Sequence, residues 1–397
     1  MKVLLRAPLL TNSGYGVHSR QIFEWLYEKK NIDLTVECLN WGGTPWLINS
    51  DLEDGLVGKI MSKSKKIEGK FDLSIQVQLP DEWDPKLAEK NIGVSAFVET
   101  DRCNPAWIDA CNNMDMIIVP SNFTKKVAKR SGILMTPIHV IPEWFNDNVT
   151  KQNSDDKNLL QDERYSFKKD FNFLIISQLT ASQPKNDRKN IYNALKWTLE
   201  EFQEENDVGI VIKTNMGKGS IIDRKLTLRT LKEMISSINA KNKNNKINLI
   251  HGNMSSKEIA CLYKHDKIKA ILSPTRGEGY GLPLVDAAAS GMPVVATGKT
   301  GHLDFLKIDN EDYFLPVASS NITIESSKID NRIFFEGFEW CEPNEISFKQ
   351  QIRKLYKNYE PHRKKSKKLS NHVKDNFCKN HIKNLYDQLI FGDRTYV

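Results

Sequence analysis

The stretch "SPTRGEGYGLPLVDAAASGMPVVAT", from Ser273 to Thr297, predicts the fold of the second half of the chain. It follows an apolar strand, continues through a loop that contains three glycines, and enters a helix of small residues. The apolar run "PVVAT" then indicates another buried strand. A strand, a glycine-containing loop, a helix and a second strand are typical of a parallel α/β sheet, whose ligands bind where the strands end.

The loop and helix start within this stretch suit a phosphate ligand, because a helix N-terminus attracts anions and glycine lets the backbone approach them closely. Glu278 lies in the loop and Asp286 lies within the helix. A carboxylate accepts two hydroxyl hydrogen bonds well, which suits the vicinal diol of a ribose. Acid–base chemistry, metal binding and plain solvation are the alternatives for these two carboxylates.

Short apolar strands alternate with amphipathic helices on both sides of a polar stretch, "NDNVTKQNSDDKNLLQDERYSFKKD". The alternation predicts two doubly wound α/β domains in tandem, with the ligand site in a cleft between them. We place the first domain at residues 1–165 and the second at residues 166–375. A final helix, within residues 376–397, is expected to pack back on the first domain.

Composition restricts the class of protein further. The six cysteines contain no CxxC pair, and no Cys/His cluster has zinc spacing, so reduced structural thiols are expected. The start "MKVLLRAPLL" is too short for a signal peptide, and no apolar run is long enough to span a membrane, so we expect a cytoplasmic protein. The net charge of +7 permits an anionic partner without requiring one.

The quoted stretch and the following "GKTGHLDFL" resemble the signature of retaining GT-B glycosyltransferases, especially glycosyltransferase family 4. The family pattern has two acidic residues separated by seven, and here Asp286 replaces the usual second Glu. The resemblance extends over most of the chain. It implies a GT-B fold of two Rossmann-like domains facing a central cleft. It also implies retaining transfer of a hexose or pentose from a nucleotide-diphosphate sugar to an acceptor hydroxyl, in glycan biosynthesis, without a metal or other cofactor.

The resemblance assigns roles to individual residues. It implies that Glu278 contacts hydroxyls of the donor sugar, that Asp286 binds the ribose, and that Lys189 grips the diphosphate. Gln178 replaces the customary Arg of this phosphate clamp, and Arg188 or Lys185 could compensate. The further candidates for donor binding are Gly14, Tyr15, Gly16, Arg188, Asn253, Met254, Gly279, Tyr280, Gly281 and Leu282.

The acceptor is expected in the first domain, where "FVETDRCNPAW" follows a strand. Glu99 and Asp101 are the catalytic candidates there, and a capped loop of solvated charges is an equal alternative. A glycan, a lipid-linked glycan or a DNA nucleobase would fit as acceptor, and a non-catalytic sugar-nucleotide-binding protein of GT-B fold is the other class. The basic run Arg363–Lys368 indicates a solvated helix face or a contact with an anionic surface, at the inner membrane for example.

Overall fold

The computed structural model describes residues 1–151, 156–181, 183–215, 217, 219–241, 243 and 246–392. The chain divides into two compact units, each built on a six-stranded sheet. The first unit contains Met1–Trp144, Asp330–Phe335 and the chain from Lys379 onward, and the second contains Phe145–Ile329 and Glu336–Cys378. All pairings within the two six-stranded sheets are parallel, which confirms the predicted α/β fold with two Rossmann-like domains.

The first unit orders its strands β2-β1-β3-β4-β5-β6. Successive residues of β5 enter different cores: Ile118 packs with one apolar cluster, whereas Ile117 and Val119 pack with another. Because neighbouring strand residues point to opposite faces, helices cover both faces of this sheet. The elements are β1 (Lys2–Ala7), α1 (Gly14–Tyr27), β2 (Asp33–Cys38), α2 (Leu56–Lys63), β3 (Phe71–Val77), β4 (Ala88–Val94), α3 (Pro105–Asn112), β5 (Met116–Val119), α4 (Asn122–Ser131) and β6 (Ile138–Val140).

Helix α1 begins at Gly14, within the stretch "TNSGYGVHSR", whose two glycines would suggest a turn from sequence alone. The side-chain oxygen of Ser13 accepts a hydrogen bond from the backbone N–H of Gly16, which caps the helix at this point. Gly14 and Gly16 therefore lie in the first turn of a helix. The glycine content concealed this start, because glycine is a poor helix former.

The second unit orders its strands β14-β11-β10-β7-β8-β9, and β7 again alternates between two cores, with Leu174 in one and Phe173 and Ile175 in the other. Two short antiparallel pairs, β12–β13 and β15–β16, lie outside this sheet. The elements are α5 (Asp156–Leu160), β7 (Phe171–Ile176), α6 (Ile191–Glu201), β8 (Val208–Lys213), α7 (Ile221–Ser237), β9 (Ile247–Ile250), α8 (Ser256–Lys264), β10 (Ile268–Ser273), α9 (Leu282–Ser290), β11 (Val294–Thr297), α10 (Leu303–Leu306), β12 (Lys307–Ile308), β13 (Glu311–Asp312), β14 (Leu315–Val317), β15 (Ser319–Thr323), β16 (Glu339–Pro343), α11 (Glu345–Lys357) and α12 (Tyr359–Asn376).

The unit boundaries differ from the domain limits that the sequence suggests. The second unit already begins at Phe145, and Phe145, Val149 and Tyr165 pack in its core. Because the stretch is mostly polar, these few apolar residues gave no recognisable core pattern in the sequence. Residues 152–155 of the expected linker lie outside the described residues.

The final helix, α13 (Lys379–Phe391), belongs to the first unit. Its Ile382 and Tyr386 pack in the core of that unit, and the Tyr386 hydroxyl lies 3.2 Å from His18 Nε2. Residues 393–397 of the expected terminal segment lie outside the described residues. None of the described helices combines the length and apolar composition that a bilayer crossing requires.

Candidate active site

An ion pair between Lys189 and Glu278 lies at the carboxyl ends of β7 and β10. Lys189 Nζ donates to both carboxylate oxygens of Glu278, at 2.7 Å each. Arg188 Nη1 lies 3.7 Å from Glu278 Oε2 and donates to the backbone carbonyl of Gly277 at 2.5 Å. Two cationic side chains and one carboxylate, all predicted from the sequence, thus meet within the second unit.

Glu278 is buried, with 7% of its surface exposed. Burial alone would raise the pKa of this carboxyl, but the nearby charges of Lys189 and Arg188 outweigh burial, so its pKa is lowered. Glu278 is therefore ionised at neutral pH. An ionised carboxylate accepts hydrogen bonds and stabilises positive charge, but it has no proton to donate to a leaving group.

The loop that carries Arg188 and Lys189 is held by a buried carboxylate, Asp187. Its side chain accepts hydrogen bonds from the backbone N–H groups of Lys189, at 3.2 Å, and of Ile191, the first residue of α6, at 2.8 Å. Thr180 Oγ1 donates to the same carboxylate at 2.5 Å. The sequence analysis did not single out Asp187, although an Asp just before an amphipathic helix is a known capping signal.

A second support comes from Arg276, whose guanidinium is buried between the two loops of the site. Its Nη1 donates to the backbone carbonyls of Asp187, at 2.6 Å, and of Pro184, at 2.8 Å. Its Nε and Nη2 donate to the carboxylate of Glu342 at 2.6 and 3.0 Å. The sequence pattern contained no signal for this role, because Glu342 lies 66 positions away.

Two glycine-containing loops pack tightly around the start of α9. Gly281 precedes the helix with φ +108°, a conformation that favours glycine. The N–H of Gly301 donates to the carbonyl of Glu278 at 2.9 Å, and a Cβ on Gly301 would lie 2.1 Å from the carbonyl oxygen of Gly279. The Tyr280 ring packs edge-on against Phe305 in the core. Tyr280 therefore presents its backbone, rather than its side chain, to any ligand at this helix start.

A small pocket that is open to solvent adjoins the ion pair. Apolar side chains of β7, β10 and α9 form most of its wall, and Lys189 and Glu278 supply its charges. The lining residues are Ile175, Ile176, Ser177, Lys189, Ala194, Ile271, Leu272, Ser273, Pro274, Glu278, Pro283 and Leu284. A wall that combines apolar side chains with two convergent charged groups suits a small-molecule ligand.

Asp286 lies on α9, where its Oδ1 accepts a hydrogen bond from the backbone N–H of Asn146 at 2.8 Å. Burial raises the pKa of this carboxyl to about 7, although the Asn146 bond opposes the shift. The ordinary Asp value is about 3.9, so Asp286 titrates near neutral pH where an exposed Asp would not. Leu282, the first residue of this helix, is partly buried against the core.

Asn253 and Met254 follow β9, with Asn253 exposed and Met254 packed partly against the core. Lys213, which ends the neighbouring strand β8, was not predicted from the sequence. Its Nζ donates to Asn215 Oδ1 at 3.1 Å, and the N–H of Gly252 donates to the same oxygen at 3.0 Å. Burial lowers the pKa of Lys213 to about 8, so its charge also varies near neutral pH.

The two candidates for completing the phosphate clamp occupy different surroundings. Arg188 lies beside Glu278, whereas Lys185 is largely exposed and pairs with Glu325 at 3.2 Å. Gln178 is exposed. Arg188 is therefore the residue whose position fits the clamp.

In the first unit, the candidate residues at the start of α1 are tightly packed. The Tyr15 hydroxyl accepts from the N–H of Ala96 at 2.9 Å and lies 3.0 Å from Ser95 Oγ. Its ring stacks on Trp41 at 3.9 Å between centroids. A Cβ on Gly16 would lie 2.1 Å from the carbonyl oxygen of Thr11, so only glycine fits there. These contacts place the start of α1 against the carboxyl ends of β1 and β4.

Glu99 and Asp101 lie in the loop after β4, in the same unit as Tyr15. Asp101 pairs with its neighbour Arg102 at 3.1 Å. Burial raises the pKa of the Tyr15 hydroxyl, and the charges of Glu99 and Glu143 raise it further. The charges of Glu99, which is half-buried, and of Glu143, which is buried and was not identified in the sequence analysis, therefore both act on Tyr15.

Among the described residues, no group of three or more His, Cys, Asp or Glu side chains is gathered as a metal site would be. All six cysteines are free.

A family model described as "Glycosyl transferases group 1" matches residues 227–374. A comparison with curated protein sequences finds no match.

Several solved structures share the fold across nearly the whole chain. HepE of Anabaena, in complex with UDP and glucose, is 12% identical with a TM-score of 0.64, covering 98% of this chain and 99% of that one. Sucrose-phosphate synthase of Thermosynechococcus elongatus is 13% identical with a TM-score of 0.62, covering 99% and 100%. A glycosyltransferase of Rickettsia africae is 15% identical with a TM-score of 0.62, covering 98% and 97%. These likenesses confirm the GT-B fold.

Proposed function

We propose that this chain, a glycosyltransferase by its group 1 domain and a GT-B protein by its fold, transfers a sugar from a nucleoside diphosphate sugar to an acceptor hydroxyl with retention of configuration. The observation that carries the proposal is the Lys189–Glu278 pair in the pocket beside the start of α9. A cation and a helix N-terminus together suit a diphosphate, and an ionised carboxylate suits the hydroxyls of the attached sugar.

The chemical step follows from these charges. As the bond between the anomeric carbon and the diphosphate oxygen breaks, negative charge grows on the leaving group. Lys189, Arg188 and the backbone N–H groups at the start of α9 would stabilise that charge. These groups supply positive charge at the diphosphate, so we propose that no divalent metal is required.

Positive charge grows on the sugar in the same step, because glycosyl transfer passes through an oxocarbenium-like state. The Glu278 carboxylate would accept hydroxyl hydrogen bonds and stabilise this charge. The acceptor oxygen bonds to the anomeric carbon on the face that the diphosphate leaves, and its proton passes to the departing phosphate oxygen. No protein nucleophile is needed in this scheme, which matches a glutamate that is held ionised by two cations.

The nucleoside would extend from the diphosphate toward Asp286 for its ribose and toward Asn253, Met254 and Lys213 for its base. Uridine is the first base to test, because HepE and the pneumococcal transferase GtfA have been solved with UDP. Asp286 is shorter than Glu by one methylene, and the Asn146 bond holds one of its oxygens. The other oxygen remains the one to engage a ribose hydroxyl.

The acceptor is proposed to be a glycan that binds the first unit near Glu99 and Asp101. A Staphylococcus aureus TarM structure contains α-GlcNAc-glycerol, and GtfA is an O-GlcNAc transferase, so the fold accepts hydroxyl acceptors of several kinds. A nucleobase acceptor is the alternative. We also propose a cytoplasmic location, because free cysteines are usual in reducing compartments.

The experiment compares wild type with Glu278→Gln in titration calorimetry and donor-hydrolysis assays against UDP-, GDP-, ADP- and dTDP-glucose, with and without EDTA. Glu360→Gln is the matched control, because it removes a carboxylate from a surface pair with Arg363. We expect one nucleotide family to bind without metal, and hydrolysis with retained configuration to be lost only in Glu278→Gln. Binding of no donor, or binding that EDTA abolishes, would contradict the proposal, and binding without any turnover would favour a non-catalytic protein.

A further inference from the structure

Thr300, in the loop between β11 and α10, adopts a backbone conformation that a β-branched residue rarely takes. Its φ is +81°, in the left-handed region that favours glycine. The other described residues with a positive φ that are not glycine are Asn, Asp, Glu or Phe, none of which is β-branched. A branched side chain is crowded in this region, so the conformation persists only where the surroundings enforce it.

The side chain of Thr300 is bound to the backbone of Glu278. Thr300 Oγ1 accepts a hydrogen bond from the N–H of Glu278 at 3.1 Å. The next residue, Gly301, donates its own N–H to the carbonyl of Glu278 at 2.9 Å. Two consecutive residues therefore hold both backbone polar groups of the glutamate that pairs with Lys189.

The loop that carries Thr300 is fastened at both ends. At its start, the N–H of Gly298 donates to the carbonyl of Val317 on β14 at 2.9 Å. At its end, His302 Nε2 lies 2.7 Å from the carbonyl oxygen of Thr297, the last residue of β11. A carbonyl oxygen only accepts, so Nε2 carries the hydrogen and donates it. These bonds restrict the loop and enforce the unusual φ of Thr300.

A turn at this point would not by itself require threonine. Glycine adopts a positive φ without strain, as Gly281 (φ +108°) and Gly291 (φ +82°) do on either side of α9. A glycine at position 300 would adopt the same φ freely, but it has no hydroxyl to accept from the Glu278 N–H. Because Glu278 is buried, an unpaired N–H there is costly. The hydroxyl therefore explains why a strained threonine occupies this position.

The place of the Glu278 carboxylate depends on this hold on its backbone. The side chain extends from the held peptide to Lys189 Nζ, which lies 2.7 Å from each carboxylate oxygen. The neighbouring backbone is packed closely, since a Cβ on Gly301 would lie 2.1 Å from the carbonyl oxygen of Gly279. A movement of the Glu278 backbone would move the carboxylate with it.

We propose that Thr300 is a positioning residue for the reaction: its hydroxyl fixes the Glu278 backbone so that the carboxylate meets the transferred sugar in one place. The inference rests on the proposed function, in which Glu278 stabilises positive charge on the sugar. Strained backbone conformations cluster at active sites, where they pre-organise reacting groups. A pre-organised carboxylate needs no rearrangement as that charge develops. Thr300 should therefore affect kcat more than KM, because the groups proposed to hold the diphosphate stay in place.

The test compares wild type with Thr300→Ser, Thr300→Gly and Thr300→Val in the full chain. Serine keeps the hydroxyl, glycine removes both hydroxyl and strain, and valine removes the hydroxyl alone. The assay is hydrolysis of whichever of UDP-, GDP-, ADP- and dTDP-glucose the wild type turns over fastest. We expect kcat of Thr300→Ser to stay within about threefold of wild type and kcat of the other two to fall at least about tenfold, with KM changed less than about threefold.

Melting temperatures separate this role from a merely structural one. Thr300→Val should melt about 3–8 °C below wild type, because it keeps the strain and leaves the Glu278 N–H unpaired. Thr300→Gly should melt within about 3 °C of wild type, since relief of strain offsets the lost bond. Activity should thus be low in both variants although only one of them is destabilised.

Hydrogen exchange at the Glu278 amide gives a second readout that needs no donor. This amide should exchange at least about tenfold faster in Thr300→Gly and Thr300→Val than in wild type, and near the wild-type rate in Thr300→Ser. A wild type that hydrolyses none of the four donors would contradict the proposed function. With an active wild type, failure of the Thr300 variants to behave as described would overturn the positioning role alone.

Two controls are matched to these variants. Asn310→Gly replaces another residue of positive φ, +66°, in the exposed turn between β12 and β13. Thr150→Val removes an exposed hydroxyl that donates to the carbonyl of Asp147 at 3.0 Å. Both should keep kcat within about twofold of wild type. The proposal is overturned if Thr300→Gly hydrolyses the donor as wild type does, if activity follows melting temperature across the three Thr300 variants, or if the Glu278 amide exchanges equally in all.

Discussion

Arg276 Nη1 donates to the backbone carbonyl of Asp187 at 2.6 Å, and this bond joins the loop that carries Lys189 to the loop that carries Glu278. The two loops are 89 residues apart in sequence. The backbone N–H of Arg276 in turn donates to the carbonyl of Arg188 at 2.8 Å. The geometry of the ion pair therefore depends on a residue that does not touch it.

Arg276→Lys should destabilise the second unit by about 2–4 kcal/mol, because Lys cannot serve two carbonyls and the Glu342 carboxylate together and leaves buried acceptors unpaired. The loss of stability would be measured by urea unfolding, with tryptophan fluorescence as the signal. Arg164→Lys is the control: Arg164 also binds two carboxylates, those of Asp162 and Glu258, but it is more exposed. Arg164→Lys should lower the free energy of unfolding by less than about 1 kcal/mol. Equal losses in the two variants would show that Arg276 has no special structural role.

The Lys189–Glu278 pair should appear as a coupling in a double-mutant cycle. Lys189→Met and Glu278→Gln each leave a partly buried partner, so each should lower the free energy of unfolding by about 1–3 kcal/mol. The double variant should lose less than the sum of the two, by about 0.5–3 kcal/mol, since it leaves no unpaired charge. Additive losses would mean that the two side chains do not interact in solution. The exposed pair Lys241–Glu204 is the control, for which a coupling below about 1 kcal/mol is expected.

Donor affinity should rise with pH through the pKa of Asp286, about 7, because the ionised carboxylate accepts a ribose hydroxyl better than the protonated acid does. Titration calorimetry with a UDP-sugar, from one unit below that pKa to one unit above it, would measure the effect. The intact sugar nucleotide is preferable to UDP, whose terminal phosphate itself titrates near pH 6 by analogy with phosphoryl monoesters. Asp286→Asn should bind more weakly and without this pH dependence. If donor affinity still changes with pH in Asp286→Asn, the titrating group is a different one, such as Lys213.

The raised pKa of Asp286 also makes the stability of the protein depend on pH. The folded pKa of Asp286 is raised above the unfolded value, so its contribution is fully present below about pH 3.9 and is lost as pH rises through about 7. Relative to Asp286→Asn, wild type should therefore lose free energy of unfolding between those two values. Urea midpoints of both proteins across this range would measure the difference. A wild-type profile parallel to that of Asp286→Asn would contradict the raised pKa.

Local signals predicted much of this molecule. Apolar strands and amphipathic helices marked the two parallel sheets, and in the structure Ser121 and Ser255 cap α4 and α8 through their side chains. The Gly-rich stretch marked the helix start and its acidic residues. The resemblance to the glycosyltransferase signature, rather than a strand or helix signal, assigned Arg188, Lys189 and Glu278 to one site.

Residues that act through distant partners escaped prediction. Arg276 binds a carboxylate 66 positions away. The pKa of Lys213 is lowered because the side chain is buried at the end of β8. The start of α1 has a weak local signal, because Gly14 and Gly16 have low helix propensity and the cap at Ser13 outweighs it only in the folded chain. Sequence alone contains no measure of burial or of long-range pairing, so these features required the folded chain.

Gly301→Ala should reduce transfer at least tenfold while the protein stays folded. The new Cβ would lie 2.1 Å from the carbonyl oxygen of Gly279 and 2.9 Å from that of Glu278, so the loop that positions Glu278 must move. A displacement of about 1 Å near a reacting centre costs on the order of 100-fold in rate. Gly43→Ala is the control, because its Cβ would meet no atom within 4 Å. Steady-state rates and melting curves of both variants would decide: full activity in Gly301→Ala would show that the loop tolerates displacement and that Glu278 needs no such placement.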